Sequence, residues 1–131
     1  MLKITKKTDY GLTLMAALAK NPEKLMSLRS ISSQYHLPYK FIGQVATDLL
    51  EAGLIISKEG ASGGYRLARL PEEISLYQVM SVLDGPVIKV DCLRGKNCPR
   101  NGVCGHQRVL EAVSNSMIES LTNKTVADLV H

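Results

Sequence analysis

The chain has 131 residues, room for one domain or for one small domain with an extension. Its composition, 45% hydrophobic and 21% charged, is that of a soluble protein, and no run of about 18 apolar residues offers a membrane span. The net charge of +4 is uneven: residues 1–70 hold ten Lys/Arg against five Asp/Glu, giving +5, and residues 71–131 hold six against seven, giving −1. A basic front half suggests a polyanionic partner. The opening residues, Met1 to Asp9, lack the apolar core of a signal peptide, which predicts a cytoplasmic protein whose thiols stay reduced. Three cysteines, an odd number, argue against a closed disulfide framework.

The first helix is expected to start at Thr8 as N-cap, with Asp9 in the first turn, where the helix dipole favours an anion. Tyr10, Leu14, Ala17 and Leu18 recur at helical spacing, and Asn21-Pro22 ends the run. Ser27 caps a second helix with Leu28, Ile31 and Tyr35 on one stripe. Pro38 suits the first position of a third helix, which carries Phe41, Ile42, Val45, Ala46, Leu49 and Leu50. Phe41, Ile42, Val45 and Leu49 are expected in the core, and Gly53 is the expected C′ terminator. Two short helices joined by a tight turn form a helix-turn-helix pattern.

Residues 54–58 then read as a strand, 59–64 as a turn and 65–68 as a returning strand. A hairpin directly after a helix-turn-helix is the wing of a winged-helix domain. Its tip glycines let the backbone turn and approach a ligand closely. Ser75 caps a short helix over 76–83, closed by Asp84-Gly85-Pro86; residues 87–90 are too short to classify.

The stretch 92–106 carries all three cysteines, Cys92, Cys98 and Cys104, spaced five residues apart among the turn residues Gly95, Asn97, Pro99, Asn101 and Gly102. Thiolates are soft ligands suited to zinc, copper(I) or iron–sulfur clusters. With His106 they would also make a Cys3His zinc set, although one residue between Cys104 and His106 is a tight gap for two ligands of one ion. A long helix over 105–121 follows, with Val109, Leu110, Val113, Met117 and Leu121 on one face. Such a face suits self-association, and a dimer would match the symmetry of paired DNA half-sites. A short helix at 125–129 is expected to cover the core.

The expected fold is therefore mostly α with a small β-hairpin wing: a winged helix-turn-helix over residues 1–75, then 76–131 with a cysteine loop (about 88–106) and a dimerisation helix. Tyr39, Lys40, Gly43 and Gln44 at the exposed start of the third helix are the candidates to meet bases and phosphates in the major groove, Gln44 with an amide that suits adenine. Lys3, Lys6, Lys7 and Arg29 are placed to reach phosphates. Ser62, Gly63 and Gly64 at the wing tip, with Arg66 behind, would approach the minor groove. No phosphate loop, nucleophile elbow or framed carboxylate pair supports an enzyme. A metallo-interaction protein or iron chaperone that does not act on DNA is the rival reading; the basic front half and the wing oppose it.

The start Leu2-Lys-Ile-Thr-Lys-Lys-Thr-Asp-Tyr10, the helix Leu37-Pro-Tyr-Lys-Phe-Ile-Gly-Gln-Val45, the turn Glu51-Ala-Gly-Leu54, the wing Gly60-Ala-Ser-Gly-Gly-Tyr-Arg-Leu67, the cysteine trio and the ending Thr125-Val-Ala-Asp-Leu-Val130 together resemble the Rrf-two family of transcriptional regulators. This is the family of the iron–sulfur regulator IscR and the nitric-oxide-sensing repressor NsrR. The opening Thr-Asp-Tyr also resembles its subgroup regulating SUF iron–sulfur assembly.

The resemblance implies a homodimeric repressor-type DNA binder on a pseudo-palindromic operator, with a cluster held by Cys92, Cys98 and Cys104. The fourth ligand differs between subgroups. The IscR pattern has a histidine three positions after the last cysteine, where this chain has Gln107; His106 stands one place early, about 100° round if the segment is helical. The NsrR pattern has an aspartate at the start of the first helix, supplied by the partner subunit to a [4Fe–4S] cluster, and Asp9 stands there. The resemblance thus favours Asp9 and [4Fe–4S], with His106 and [2Fe–2S] as the alternative. Clusterless members of the family leave a thiol-based regulator open.

Overall fold

The computed structural model describes residues 3–88, 98–100 and 102–130. Five α-helices and one hairpin are described: α1 (Lys6–Ala19), α2 (Leu28–Tyr35), α3 (Tyr39–Glu51), β1 (Ile55–Lys58), β2 (Gly64–Leu67), α4 (Leu76–Asp84) and α5 (Gly105–Thr122). Short 3-10 turns at Pro71–Glu73 and Val126–Val130 complete them.

α1 is the central element. It packs against α3, α4, β2 and the C-terminal turn, and Leu14, Met15, Ala17 and Leu18 are buried along it. Its N-cap lies three residues before the expected one. Thr5 is the N-cap and its hydroxyl accepts from the Thr8 N–H, at 3.2 Å. Thr8 is fully buried, and its hydroxyl donates to Asp84 at 2.6 Å, while the Thr5 hydroxyl donates to the other Asp84 oxygen at 2.7 Å. The local cap signal at Thr8 therefore belongs to a tertiary contact that ties the start of α1 to the end of α4. Gly11 lets those helices approach: a Cβ there would lie 2.1 Å from Leu83 Cδ1.

α2 starts at Ser27, as expected, with the Ser27 hydroxyl accepting from the Ser30 N–H. It ends on His36 in the left-handed region. Pro38 is the N-cap of α3, one place before its expected position. α3 closes in a Schellman motif: the Gly53 N–H donates to the Leu50 carbonyl and the Leu54 N–H to the Leu49 carbonyl, with Gly53 at φ +77°.

β1 and β2 pair antiparallel, Ile55 with Leu67 and Lys58 with Gly64. Met26, just before α2, bridges to Tyr65 through two backbone hydrogen bonds of 2.9 and 2.8 Å. The wing is thereby laced to the helix-turn-helix. A Cβ at Gly64 would lie 2.6 Å from the Met26 backbone, so what the tip glycine approaches closely is the chain itself.

α4 begins with a full capping box, the Ser75 hydroxyl accepting from the Gln78 N–H and the Gln78 side chain from the Ser75 N–H. The C-terminal turn is anchored by Leu76 N–H to Lys124 and Val126 N–H to Ile74. Val126 is fully buried, so this segment covers the core.

α5 differs from the others. None of its residues is buried, and Val109 and Val113 are 61% and 44% exposed. It lies against α4, leaving a groove of about 670 Å³ lined by Leu12, Met80, Val113, Met117 and Leu121, with Lys3 and Ile4 at its edge. Among the described residues no helix is long and apolar enough to cross a membrane.

Candidate functional site

α3 buries Ile42, Val45, Ala46 and Leu49 against the core, which turns Tyr39, Lys40, Gln44 and Thr47 outward. Phe41 corrects the sequence expectation. It is 41% exposed, because it lies about 90° round the helix from the middle of the buried stripe. Its ring meets Tyr10 of α1 edge-on, with centroids 5.2 Å apart. Lys7, Pro38, Lys40, Phe41, Gln44 and Val45 line a shallow cleft of about 510 Å³ beside the outward face.

The cations expected at the interface are not equivalent. Lys40 and Lys6 are exposed and make no ion pair among the described residues. Arg29 lies over the Tyr39 ring, 4.9 Å from its centroid, so a cation–π contact joins α2 to the start of α3. Lys7, expected to reach a phosphate, has its ammonium 2.6 Å from Asp48 Oδ2. Asp48 is a residue that sequence reasoning missed. Its other oxygen accepts from Gln44 Nε2 at 3.3 Å. The Lys7 hydrogen bond, against the opposing effect of burial, holds the Asp48 carboxyl below its ordinary range. The i, i+4 spacing of Gln44 and Asp48 was a usable signal. The Lys7 contact had none, since it joins two helices.

Ser62 is exposed at the wing tip; Gly63, Gly64 and Arg66 are half-buried, with Arg66 opposite Ile56 in the hairpin. Lys3 lies by the α5 groove.

In the cysteine stretch, Cys98 and Cys104 are free thiols and half-buried. Cys92 lies outside the described residues. Cys104 is the N-cap residue of α5, and its Sγ is 3.4 Å from the ring nitrogens of His106. Two tetrahedral ligands with metal–sulfur and metal–nitrogen bonds of about 2.3 and 2.0 Å sit roughly 3.5 Å apart, so the short Cys104–His106 spacing is no bar to a shared ion. Among the described residues no three His, Cys, Asp or Glu side chains gather into a group able to hold a metal. Asp9 is exposed in the first turn of α1 and is not brought together with the thiols in such a group. The donors present, soft thiols with an imidazole at hand, fit an iron–sulfur cluster in kind.

The sequence profile of the Rrf2 family, described as an iron-dependent transcriptional regulator, matches residues 4–131. The chain is 32% identical to the HTH-type transcriptional regulator NsrR of Halalkalibacterium halodurans, over 98% of this chain and 90% of that one. It is 34% identical to the HTH-type transcriptional regulator CymR of Bacillus subtilis, over 95% and 92% respectively. The solved structure of that CymR, the global cysteine regulator of B. subtilis, superposes with a TM-score of 0.83 at 33% identity, covering 99% of this chain and 97% of that chain. The structure of T. potens IscR superposes with a TM-score of 0.79 at 34% identity, covering 98% and 86%. With a profile match over nearly its whole length and an outward-facing helix beside a laced wing, the chain belongs to the Rrf2 family of winged-helix transcriptional regulators, the Rrf-two family its motifs resemble.

Proposed function

We propose that this regulator is a homodimeric, cytoplasmic repressor that binds a pseudo-palindromic operator and reports nitric oxide, redox state or iron–sulfur supply through a [4Fe–4S] cluster. Its ligands are Cys92, Cys98 and Cys104 of one chain and Asp9 of the partner subunit. Regulators of this family bind DNA and act as dimers. The observation that carries the reading is the pair of free, half-buried thiols, Cys98 and Cys104, at the mouth of a helix with no buried residue. Among the described residues, a soft ligand at the N-cap and a partly covered apolar face then belong to one helix, α5, and a second copy would complete both.

When bound, the cluster supplies redox- and nitric-oxide-sensitive iron. The residues do the rest. Asp9 stands in the first turn of α1, and Thr5 and Thr8 fasten that turn to Asp84, just before the segment leading to the cysteines. A pull on Asp9 is therefore felt by the helix against which α3 packs. Tyr39, Lys40, Gly43 and Gln44 face the major groove, Lys3, Lys6 and Arg29 the phosphates, and Ser62, Gly63, Gly64 and Arg66 the minor groove; Lys7 acts from within its ion pair.

The test is purification without oxygen, with ultraviolet–visible and Mössbauer spectra, followed by gel shifts on a palindromic promoter fragment. Replacing Asp9 by Ala is expected to alter the cluster spectrum and slow or abolish the nitric oxide response. Unchanged spectra and reactivity would remove Asp9 from the ligand set. No specific band with loaded or empty protein would favour a non-DNA-binding iron–sulfur protein.

A second reading takes His106 as the remaining ligand, with a [2Fe–2S] cluster or a zinc ion. The 3.4 Å approach of His106 to Cys104 favours it. His106→Ala then changes the spectrum and Asp9→Ala does not. A thiol regulator without metal gives neither iron nor zinc after anaerobic purification.

A further inference from the structure

We infer that Asp48 is a positioning residue for base recognition: braced by Lys7 of α1, it fixes the amide of Gln44 so that one defined edge faces the DNA. The inference rests on the DNA-binding reading above and assigns a role to two residues that do not themselves read bases.

The geometry is a chain of three polar groups across two helices. Lys7 Nζ sits 2.6 Å from Asp48 Oδ2, and Gln44 Nε2 sits 3.3 Å from Asp48 Oδ1. Each carboxylate oxygen thus serves one neighbour. Gln44 is exposed on the outward face of α3, one turn before Asp48. A free glutamine amide can turn over and exchange its donor and acceptor ends. Beside a carboxylate it cannot do so without cost, because its carbonyl oxygen would then face another acceptor. The Asp48 contact uses one N–H of the amide, leaving the carbonyl and the second N–H.

That remaining pair matches adenine, whose major-groove edge offers one donor at N6 and one acceptor at N7. Guanine offers two acceptors, and a freely turning amide tolerates it better than a braced one. Lys7 has a second effect. A lone carboxylate one turn from the reading residue would repel phosphates, and its ammonium neutralises that charge. The brace comes from α1, the helix that also carries Asp9, so the recognition edge is tied to the element expected to respond to the cluster.

The experiment selects operator sequences from a randomised pool with the wild-type full chain, then measures binding to single-base variants of the selected site. Gln44→Ala identifies the position Gln44 reads, by loss of its adenine preference. Asp48→Ala is expected to cut that preference from about tenfold to two- or threefold, while preferences elsewhere and the unfolding midpoint change little. The double variant Asp48→Ala with Gln44→Ala is expected to match Gln44→Ala at that position. Lys7→Gln is expected to weaken binding to all sequences, by uncovering the Asp48 charge, and also to lower the adenine preference at the Gln44 position, by loosening Asp48; an unchanged adenine preference in Lys7→Gln removes Lys7 from the brace. Full adenine preference in Asp48→Ala, or loss of discrimination at every position together, overturns the inference while leaving the DNA-binding reading intact. A wild-type chain that selects no sequence in any cluster state overturns both.

Discussion

At the scale of single residues, Asp84 and Asp48 do the most with one carboxylate each. Asp84 ends α4, where the helix dipole disfavours an anion, yet it accepts from both Thr5 and Thr8. Thr8 is fully buried, so Asp84→Ala strands a hydroxyl that water cannot reach. The expected loss is about 1–3 kcal/mol, read from the urea midpoint at unchanged slope. Asp48 contributes less because its ion pair is open to solvent, with Lys7 35% and Asp48 22% exposed. Its carboxyl is held below the ordinary range chiefly by the hydrogen bond from Lys7. A depressed acid stabilises the fold above the ordinary carboxylate range, and the contribution fades as pH falls through the depressed value. Asp48→Asn is therefore expected to lower the neutral-pH melting point slightly, by about 0.5 kcal/mol or less in stability, and to shrink its difference from wild type in strong acid.

At the scale of elements, α1 and α3 decide the shape of the reading head. Gly11 sits where α1 meets α4, and an alanine Cβ would lie 2.1 Å from Leu83 Cδ1 and 3.4 Å from Val45 Cγ1. Alanine in a helix interior is worth about 0.8–1 kcal/mol over glycine, but overpacking costs about 1–3 kcal/mol. Overpacking is expected to win, so Gly11→Ala melts below wild type in calorimetry, and Leu83→Val added to it recovers part of the loss. Gly53, at φ +77°, closes α3 and feeds β1. The Schellman geometry was legible from a glycine following a periodic apolar run. So were the Ser27 and Ser75 caps, since a cap needs only the next three residues. Phe41 was misplaced for a matching reason: apolar type alone does not say which of two adjacent positions on α3 faces the core. The packing of α1 turned Ile42 inward and left Phe41 on the flank, where Tyr10 covers one edge.

At the scale of the whole molecule, α5 is an amphipathic helix whose apolar face is only partly covered among the described residues. With Val109 and Val113 exposed and Met117 and Leu121 lining the groove, a second copy is the proposed cover. Wild-type chain is expected to sediment at twice its 14.3 kDa mass, and Met117→Asp at the single mass with its far-ultraviolet circular dichroism retained. A single-mass wild type would remove the dimer and, with it, any ligand from a partner subunit. Loss of the dimer is also expected to weaken operator binding, because two half-sites are then no longer read by one particle.

The order of helices, the wing and the apolar face of α5 were determined by the sequence alone, because periodicity, caps and turn residues act over a few neighbouring positions. The cysteines at Cys98 and Cys104 were equally legible, being a composition signal. Tertiary structure alone decided what Thr8 does, since its partner Asp84 lies 76 residues away. It also decided that Lys7 pairs with Asp48, and that His106 turns back onto Cys104 at the start of α5. A side chain's partner across the fold is set by how helices pack, and no local pattern in the chain records that choice.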